Sequence, residues 1–199
     1  MTLPPSRASR LATVSDEELV ERFRAGDRPA FDAVVTRYQD RVFAMCVRWL
    51  GERESAEDVA QEIFVALFRS LHDFRGDARL STYVFRCTVN HCRNRRTHRG
   101  RRGWGRHDAI DDARELAADS PGTDGGVHAS EARRLVDVGL AQLDDDLRAV
   151  VLLRDLQDLD YDEIAAVLDV PRGTVKSRLH RARSELAAAI TRHTARGPR

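Results

Sequence analysis

Cysteine is scarce in this chain, and that scarcity excludes a fold stapled by disulfides. Only Cys46, Cys87 and Cys92 occur in 199 residues, and an odd number fits a reducing, cytosolic setting. Aromatic residues make up only 6%, and long β-branched runs are missing, which argues against sheet. No apolar run approaches the ~20 residues that a membrane helix needs. The opening stretch MTLPPSRASRLATVSDEE lacks the apolar segment of a secretory signal. A cytoplasmic protein without membrane insertion is therefore expected. Catalytic signatures are absent as well: there is no P-loop, nucleophile elbow, HExxH or paired metal motif. No catalytic residue is assigned, and the chain is not expected to be an enzyme.

Ala, Leu and Arg dominate what is present, and they favour helix. At 42% hydrophobic, the chain can build one ordinary domain or two small ones. The net charge of +1 hides a strong segregation. From Gly76 to Arg106 there are nine arginines and one acid, Asp77. From His107 to Asp146 there are eleven acids and three arginines. That distribution suggests a phosphate-binding surface beside an acidic connector.

Helical periodicity divides the chain into an all-α protein of two small domains. Residues 1–14 read as a disordered tail. Ser15 can cap a helix that opens on Asp16-Glu17-Glu18. A long helix then runs from about Pro29 to Leu50, with Phe31, Val34, Val35, Tyr38, Val42, Met45 and Trp49 on its core side and Gly51 as its stop. Ser55 is expected to open a third helix and Ser81 to cap a fourth. These elements make a first domain over residues 15–103. Residues 104–130 are rich in Gly, Ser and Asp without periodicity and read as a flexible acidic linker. A second domain covers 131–192, and 193–199 form a second tail.

The most specific stretch is DYDEIAAVLDVPRGTVKSRLHRARSEL at 160–186. Asp160 and Glu163 form a capping-box variant. Asp169-Val170-Pro171 breaks the pattern, and Pro171 suits the start of another helix. In that helix Val175, Leu179, Ala182 and Leu186 recur as a buried stripe. Lys176, Ser177, His180, Arg181 and Ser184 lie away from it. A helix-turn-helix that buries one side of its second helix and offers Lys, Arg and Ser on the other has the form of a major-groove reader.

Two further constellations precede it. Asp58, Gln61 and Glu62 share a helix face at i, i+3, i+4, either a solvated face or a docking surface for a basic partner helix. Leu80 to Arg96 places Tyr83 and Phe85 at the start of a helix whose far end is cationic. Aromatic faces can hold unstacked bases while arginines hold the backbone; otherwise Tyr83 and Phe85 are core. Cys87 and His91 stand at i, i+4 with Cys92 and His98 nearby, but no second ligand pair follows, so no metal is assigned. A redox role for Cys87 and Cys92 stays open.

These constellations, in this order, resemble the sigma-70 family of bacterial RNA-polymerase sigma factors, in its short extracytoplasmic-function (ECF) class. The resemblance rests on Arg24-Ala25-Gly26-Asp27 with Ala30-Phe31, on Ala56-Glu57-Asp58 with Gln61-Glu62 and Phe64, on Ser81-Thr82 with Arg86, on Asn90, and on Gly173-Thr174-Val175-Lys176-Ser177-Arg178. It implies transcription initiation at a specific regulon, with core RNA polymerase and promoter DNA as partners and no cofactor. Asp58, Gln61, Glu62 and Phe64 would meet the clamp helices of the polymerase β′ subunit, and the β subunit would be a further contact. Arg75, Asp77, Tyr83, Asn90, Arg93 and Arg96 would engage the −10 element. Arg148, Arg172, Thr174, Lys176, Ser177, Arg178 and Arg181 would engage the −35 element. The acidic linker would thread the RNA-exit channel. Members of that class are commonly held inactive by an anti-sigma factor, and the free chain would be a monomer.

The chain departs from the family pattern at a few places. Tyr83 stands where Trp is usual and still offers a ring. Leu80 replaces a usual Phe. Asp144 stands where Pro is common, and Asp is a good cap. Asp169 replaces a frequent Gly, and Asp tolerates the left-handed conformation. The rival to a sigma factor is a dimeric two-domain regulator that binds a palindrome without polymerase.

Overall fold

The computed structural model describes residue 11, residues 13–101 and residues 127–195, with only the backbone given for 99–101 and 127–130. Most of each expected tail and most of the expected linker lie outside these described residues, while residues 193–195 belong to α8. Within them the chain forms α1 (Asp16–Arg24), α2 (Arg28–Leu50), α3 (Arg53–Ser70), α4 (Leu80–Arg101), α5 (Val127–Gln142), α6 (Asp145–Val151), α7 (Tyr161–Leu168) and α8 (Arg172–Ala195).

Helices α1 to α4 build the first unit. Ser15 caps α1 by accepting from the Glu18 N–H at 3.2 Å, which satisfies one of the donors that a helix start leaves orphaned. Gly51 ends α2 with φ 75°, a left-handed stop that glycine makes without strain. Between the helices lie Leu19, Phe23, Val34, Tyr38, Val42, Met45, Val59, Ile63, Leu67, Phe85 and Val89, all buried. Three details differ from the sequence reading. Helix α3 starts at Arg53, with Glu52 at the cap position; Ser55 is buried in the first turn and donates to Glu52 Oε2. Helix α4 starts at Leu80 rather than after a Ser81 cap, because Leu80 is itself a buried core residue. Leu11, placed in the tail by the sequence, is buried in the core, since an apolar side chain beside an open core gains from leaving water.

Helices α5 to α8 build the second unit, and α5 begins ahead of residue 131, at Val127. Asp144 caps α6 through the Leu147 N–H at 2.8 Å. Helix α6 then passes into a π-helical segment, Leu152–Leu156. Asp160 accepts from the Asp162 and Glu163 N–H groups, while Glu163 reaches back to the Asp160 N–H at 3.0 Å. This capping box starts α7. Asp169 closes it with φ 54°, the left-handed turn that Asp accommodates. Val175, Leu179 and Ala182 are buried, and Leu186 is half-buried. Helices α5 and α8 approach closely at Gly139, where an added Cβ would lie 2.4 Å from Leu186 Cδ1.

Asp144→Ala should cost about 1 kcal/mol, because the α6 start loses its only side-chain acceptor. A thermal melt of the full chain reads this as a fall of roughly 4–8 °C for a unit of this size. An unchanged melt would show that water replaces the cap without loss.

The two units are docked on each other. Arg41 of α2 donates to Gln157 Oε1 at 2.9 Å and to the Gln157 carbonyl at 3.0 Å, while Gln157 Nε2 donates back to the Arg41 carbonyl at 3.1 Å. Arg48 pairs with Asp137 of α5. Helix α7 lies along α4.

Candidate polymerase-docking and nucleic-acid surfaces

The first surface is a face of α3. Asp58, Gln61 and Glu62 are exposed and Phe64 is half-buried against the core. Helix α4 contributes to this face as well. Arg95 reaches Glu62 at 2.7 Å and Asp58 at 3.6 Å, and His91 Nδ1 lies 3.9 Å from Glu62. The acids are therefore part of a mixed-charge patch rather than a bare acidic stripe. Continuing along the same face, Val65 and Phe68 are 49% and 43% exposed. Phe68 makes edge-on contacts with Phe23 and Phe31, with ring centroids 5.3 and 5.1 Å apart. The sequence reading missed both residues. Their signal was two large apolar side chains on the same face of α3 as Asp58, Gln61 and Glu62.

The second surface is the loop before α4 and the helix itself. Gly76 turns the loop with φ 80° and leaves Arg75 and Asp77 exposed. Tyr83 is half-buried and tilts against Phe74, centroids 5.0 Å apart. Phe85 is fully buried under the Arg41 guanidinium, 4.7 Å from its ring centre, so it is core and Tyr83 is the ring left near the surface. Asn90 is exposed. Arg93 and Arg96 are turned toward the second unit. Arg93 donates to Asp146 at 2.6 Å and Arg96 to Asp145 at 2.6 Å. Arg79, just ahead of α4, and Arg86, about two turns before Arg93, donate to Glu163 and to the Ala166 carbonyl of α7.

The third surface is α8. Arg172, Lys176, Ser177, His180, Arg181, Arg183 and Ser184 are exposed, and Thr174 is half-buried. Arg181 bonds Glu185 one turn on, at 2.8 Å. Arg172 lies 3.4 Å from Asp162. Lys176 is the single lysine of the sequence. Arg178 departs from this outward set: it is half-buried and paired with Asp146, the same carboxylate that holds Arg93.

Arg148 is the clear correction. Expected among the DNA-contacting cations, it is 1% exposed. Its guanidinium donates to the carbonyls of Leu140, Ala141 and Leu143 at 2.8, 3.0 and 2.8 Å, and to that of Trp49 at 3.4 Å. Leu140 and Ala141 lie in the last turn of α5, where carbonyls have no partner within the helix. Burial pulls the pKa of Arg148 down to about 9, so it remains protonated at neutral pH. Arg148 is thus an internal cap.

The cysteines also resolve differently from a ligand set. Cys92 is buried with its sulfur 3.8 Å from that of Cys46. Its pKa is well raised, first by the Cys46 hydrogen bond and then by burial. Burial likewise raises that of Cys87. Among the described residues no three His, Cys, Asp or Glu side chains converge as a metal site.

An all-helical pair of units, one ending in a helix-turn-helix with a solvated cationic helix, defines a two-domain DNA-binding factor. The model of sigma-70 region 2 matches residues 34–102, and that of sigma-70 region 4 matches residues 133–186. RNA polymerase sigma-H factor of Pseudomonas aeruginosa is 35% identical over 185 residues, covering 90% of this chain and 96% of that protein. The ECF RNA polymerase sigma-E factor of Haemophilus influenzae is 36% identical, covering 89% and 96%. CnrH, solved in complex with the cytosolic domain of CnrY, superposes with a TM-score of 0.64 at 25% identity, covering 88% of this chain and 97% of that one. The sigma factor RpoE of Bartonella quintana, solved with the anti-sigma factor NepR, has the same fold, with a TM-score of 0.64 at 21% identity, covering 81% and 96%. The chain belongs to the sigma-70 family, as a sigma factor of the ECF class.

Proposed function

We propose that this sigma factor mounts on core RNA polymerase through α3 and reads two promoter elements with its two units. The observation that carries the reading is α8: a helix-turn-helix second helix with its apolar stripe buried and Arg172, Lys176, Ser177 and Arg181 in solvent. Asp58, Gln61, Glu62 and Phe64 meet the β′ clamp helices, and Val65 and Phe68 extend that contact. Arg75, Asp77, Tyr83, Asn90, Arg93 and Arg96 engage the −10 strand. Flipping its bases costs a few kcal/mol, and stacking returns ~1–3 kcal/mol per base. Arg172, Thr174, Lys176, Ser177 and Arg181 engage the −35 duplex; Arg178 joins them only after leaving Asp146. The first unit takes in Leu11 with α1 to α4 and the second takes in α5 to α8, from Val127 to Ala195, and an acidic linker joins them.

The factor acts in the cytoplasm as a monomer, without catalysis of its own. CnrH was solved with the cytosolic domain of CnrY, which supports a protein partner for this chain too. Run-off transcription with purified core polymerase on a genomic library tests the function and reveals the target promoters. The reading fails if the chain neither joins core polymerase nor changes the transcript set.

Gln61→Ala with Glu62→Ala should weaken core polymerase association by about tenfold, since both side chains are exposed at the centre of the docking face. DNA binding by the second unit should be unchanged. Undiminished association in a pull-down would remove the docking role from this face.

A further inference from the structure

Large apolar side chains stand exposed at two places among the described residues. Val65 and Phe68 lie on the docking face of α3, while Val136 and Leu156 lie on the second unit. The latter two line one cleft of about 320 Å³, with Leu140, Val151 and Leu152 buried beneath them. Helix α5 and the π-helical segment supply most of its lining, and Arg48 of α2 joins them from the first unit. A π-helical turn is rare and recurs at functional sites, and ligand clefts concentrate at junctions between units. An exposed apolar patch of this kind marks a surface that something covers.

The charges around the cleft say what fits. Arg48 is already paired with Asp137. Asp155 accepts from Arg183 at 2.8 Å, so its carboxylate is neutralised. Arg133 is exposed and has no carboxylate partner among the described residues. The cleft therefore offers an apolar floor and one uncommitted guanidinium. We propose that it binds a free amphiphilic anion, a medium-chain fatty carboxylate, with the chain on the floor and the headgroup on Arg133. Arginine matches a carboxylate with two parallel hydrogen bonds. The volume stands at the lower end of ligand sites, which run from about 300 to 1,000 Å³, and suits a single narrow chain. A partner helix, about 10 Å across, is too wide for it. Among the described residues no aromatic ring lines the cleft, so a nucleotide base finds nothing to stack on.

The test titrates the full chain by calorimetry with monomeric decanoate, with hexanoate and with decyltrimethylammonium, and follows the Val and Leu methyl resonances by NMR. Decanoate should bind at one site and shift the methyls of Val136, Leu152 and Leu156. Each buried methylene is worth about fourfold in affinity, so hexanoate should bind on the order of a hundredfold more weakly. Decyltrimethylammonium, with the same chain and the opposite charge, should bind at least about tenfold more weakly. Arg133→Gln, at an exposed position, should lower decanoate affinity about tenfold with an unchanged melt. Leu156→Glu sets a carboxylate in the cleft and should abolish binding with the helical circular dichroism intact; if that variant misfolds, Arg133→Gln decides. Equal affinity for the two headgroups overturns the proposal, as does native affinity in Arg133→Gln. Shifts centred on Val65 instead of Val136 would mean a merely adhesive apolar surface and also overturn it. So would capture on phosphatidylglycerol vesicles without binding of monomeric decanoate, since a lipid surface rather than a cleft ligand would then be the partner.

Discussion

Arg148→Met lowers the melting temperature by about 10 °C or more. The side chain sits at 1% exposure among four backbone carbonyls. Methionine fills much of the same volume but donates nothing. The Ala141 carbonyl then loses its side-chain donor, and those of Leu140 and Leu143 keep only the Leu143 N–H at 3.2 Å and Arg96 at 3.4 Å. A buried carbonyl left unpaired costs about 1–3 kcal/mol, and these are under-satisfied together. A combined loss of about 3 kcal/mol or more shifts the melt of a unit this size by ~12 °C or more. Arg148→Lys should fall between Met and the native residue, because an ammonium lacks the planar fork that reaches several carbonyls at once. Circular dichroism melts of the three chains decide the matter. A Met variant that melts like the native chain yet loses −35-dependent transcription would return Arg148 to the DNA surface.

Local chemistry made much of the architecture legible. Ser15, Asp144, Asp160 and Asp169 act where their side chains suggested, because caps and left-handed turns depend on neighbours within a few residues. The stripe of Val175, Leu179 and Ala182 follows from helical period alone. The partners of Arg148 lie at the end of α5, in the turn after it and on α2, and no helical pattern around Arg148 points at them. A signal was present: Leu147 to Leu153 is an apolar run broken only by Arg148, and all of it is buried. A helix apolar all round belongs inside, and a cation within it must find acceptors there. Arg93, Arg96 and Arg178 were placed on the correct helices, but their carboxylate partners lie across long sequence separations. Charge counting places Asp144 to Asp146 at the end of the acidic connector, whereas Asp144 caps α6 and Asp145 and Asp146 in its first turn pair with Arg96 and Arg93 of α4.

Arg181→Ala should cut −35-dependent run-off transcription by about tenfold or more, with core polymerase association unchanged. The side chain is 67% exposed and its hydrogen-bond partner among the described residues is Glu185 of the same helix, so its loss leaves no buried partner. Its position also separates it from Lys176. Residues near the start of a recognition helix reach base edges, and those further along tend to meet the backbone. Helix α8 starts at Arg172, which places Lys176 within about one turn of the start and Arg181 more than two turns in. Arg181→Ala should therefore weaken holoenzyme binding alike on all −35 sequences and reduce the salt slope by about one, as loss of a phosphate contact does. Lys176→Ala should change which −35 sequences are preferred, a result read by comparing a panel of −35 variants in the same assay. If Arg181→Ala lowered polymerase association as much as transcription, α8 would be docking on protein, and the division of labour between α3 and α8 would fail. If both variants weakened every −35 sequence equally, α8 would hold DNA without reading it, and promoter choice would rest on α4 and the loop around Arg75 and Asp77.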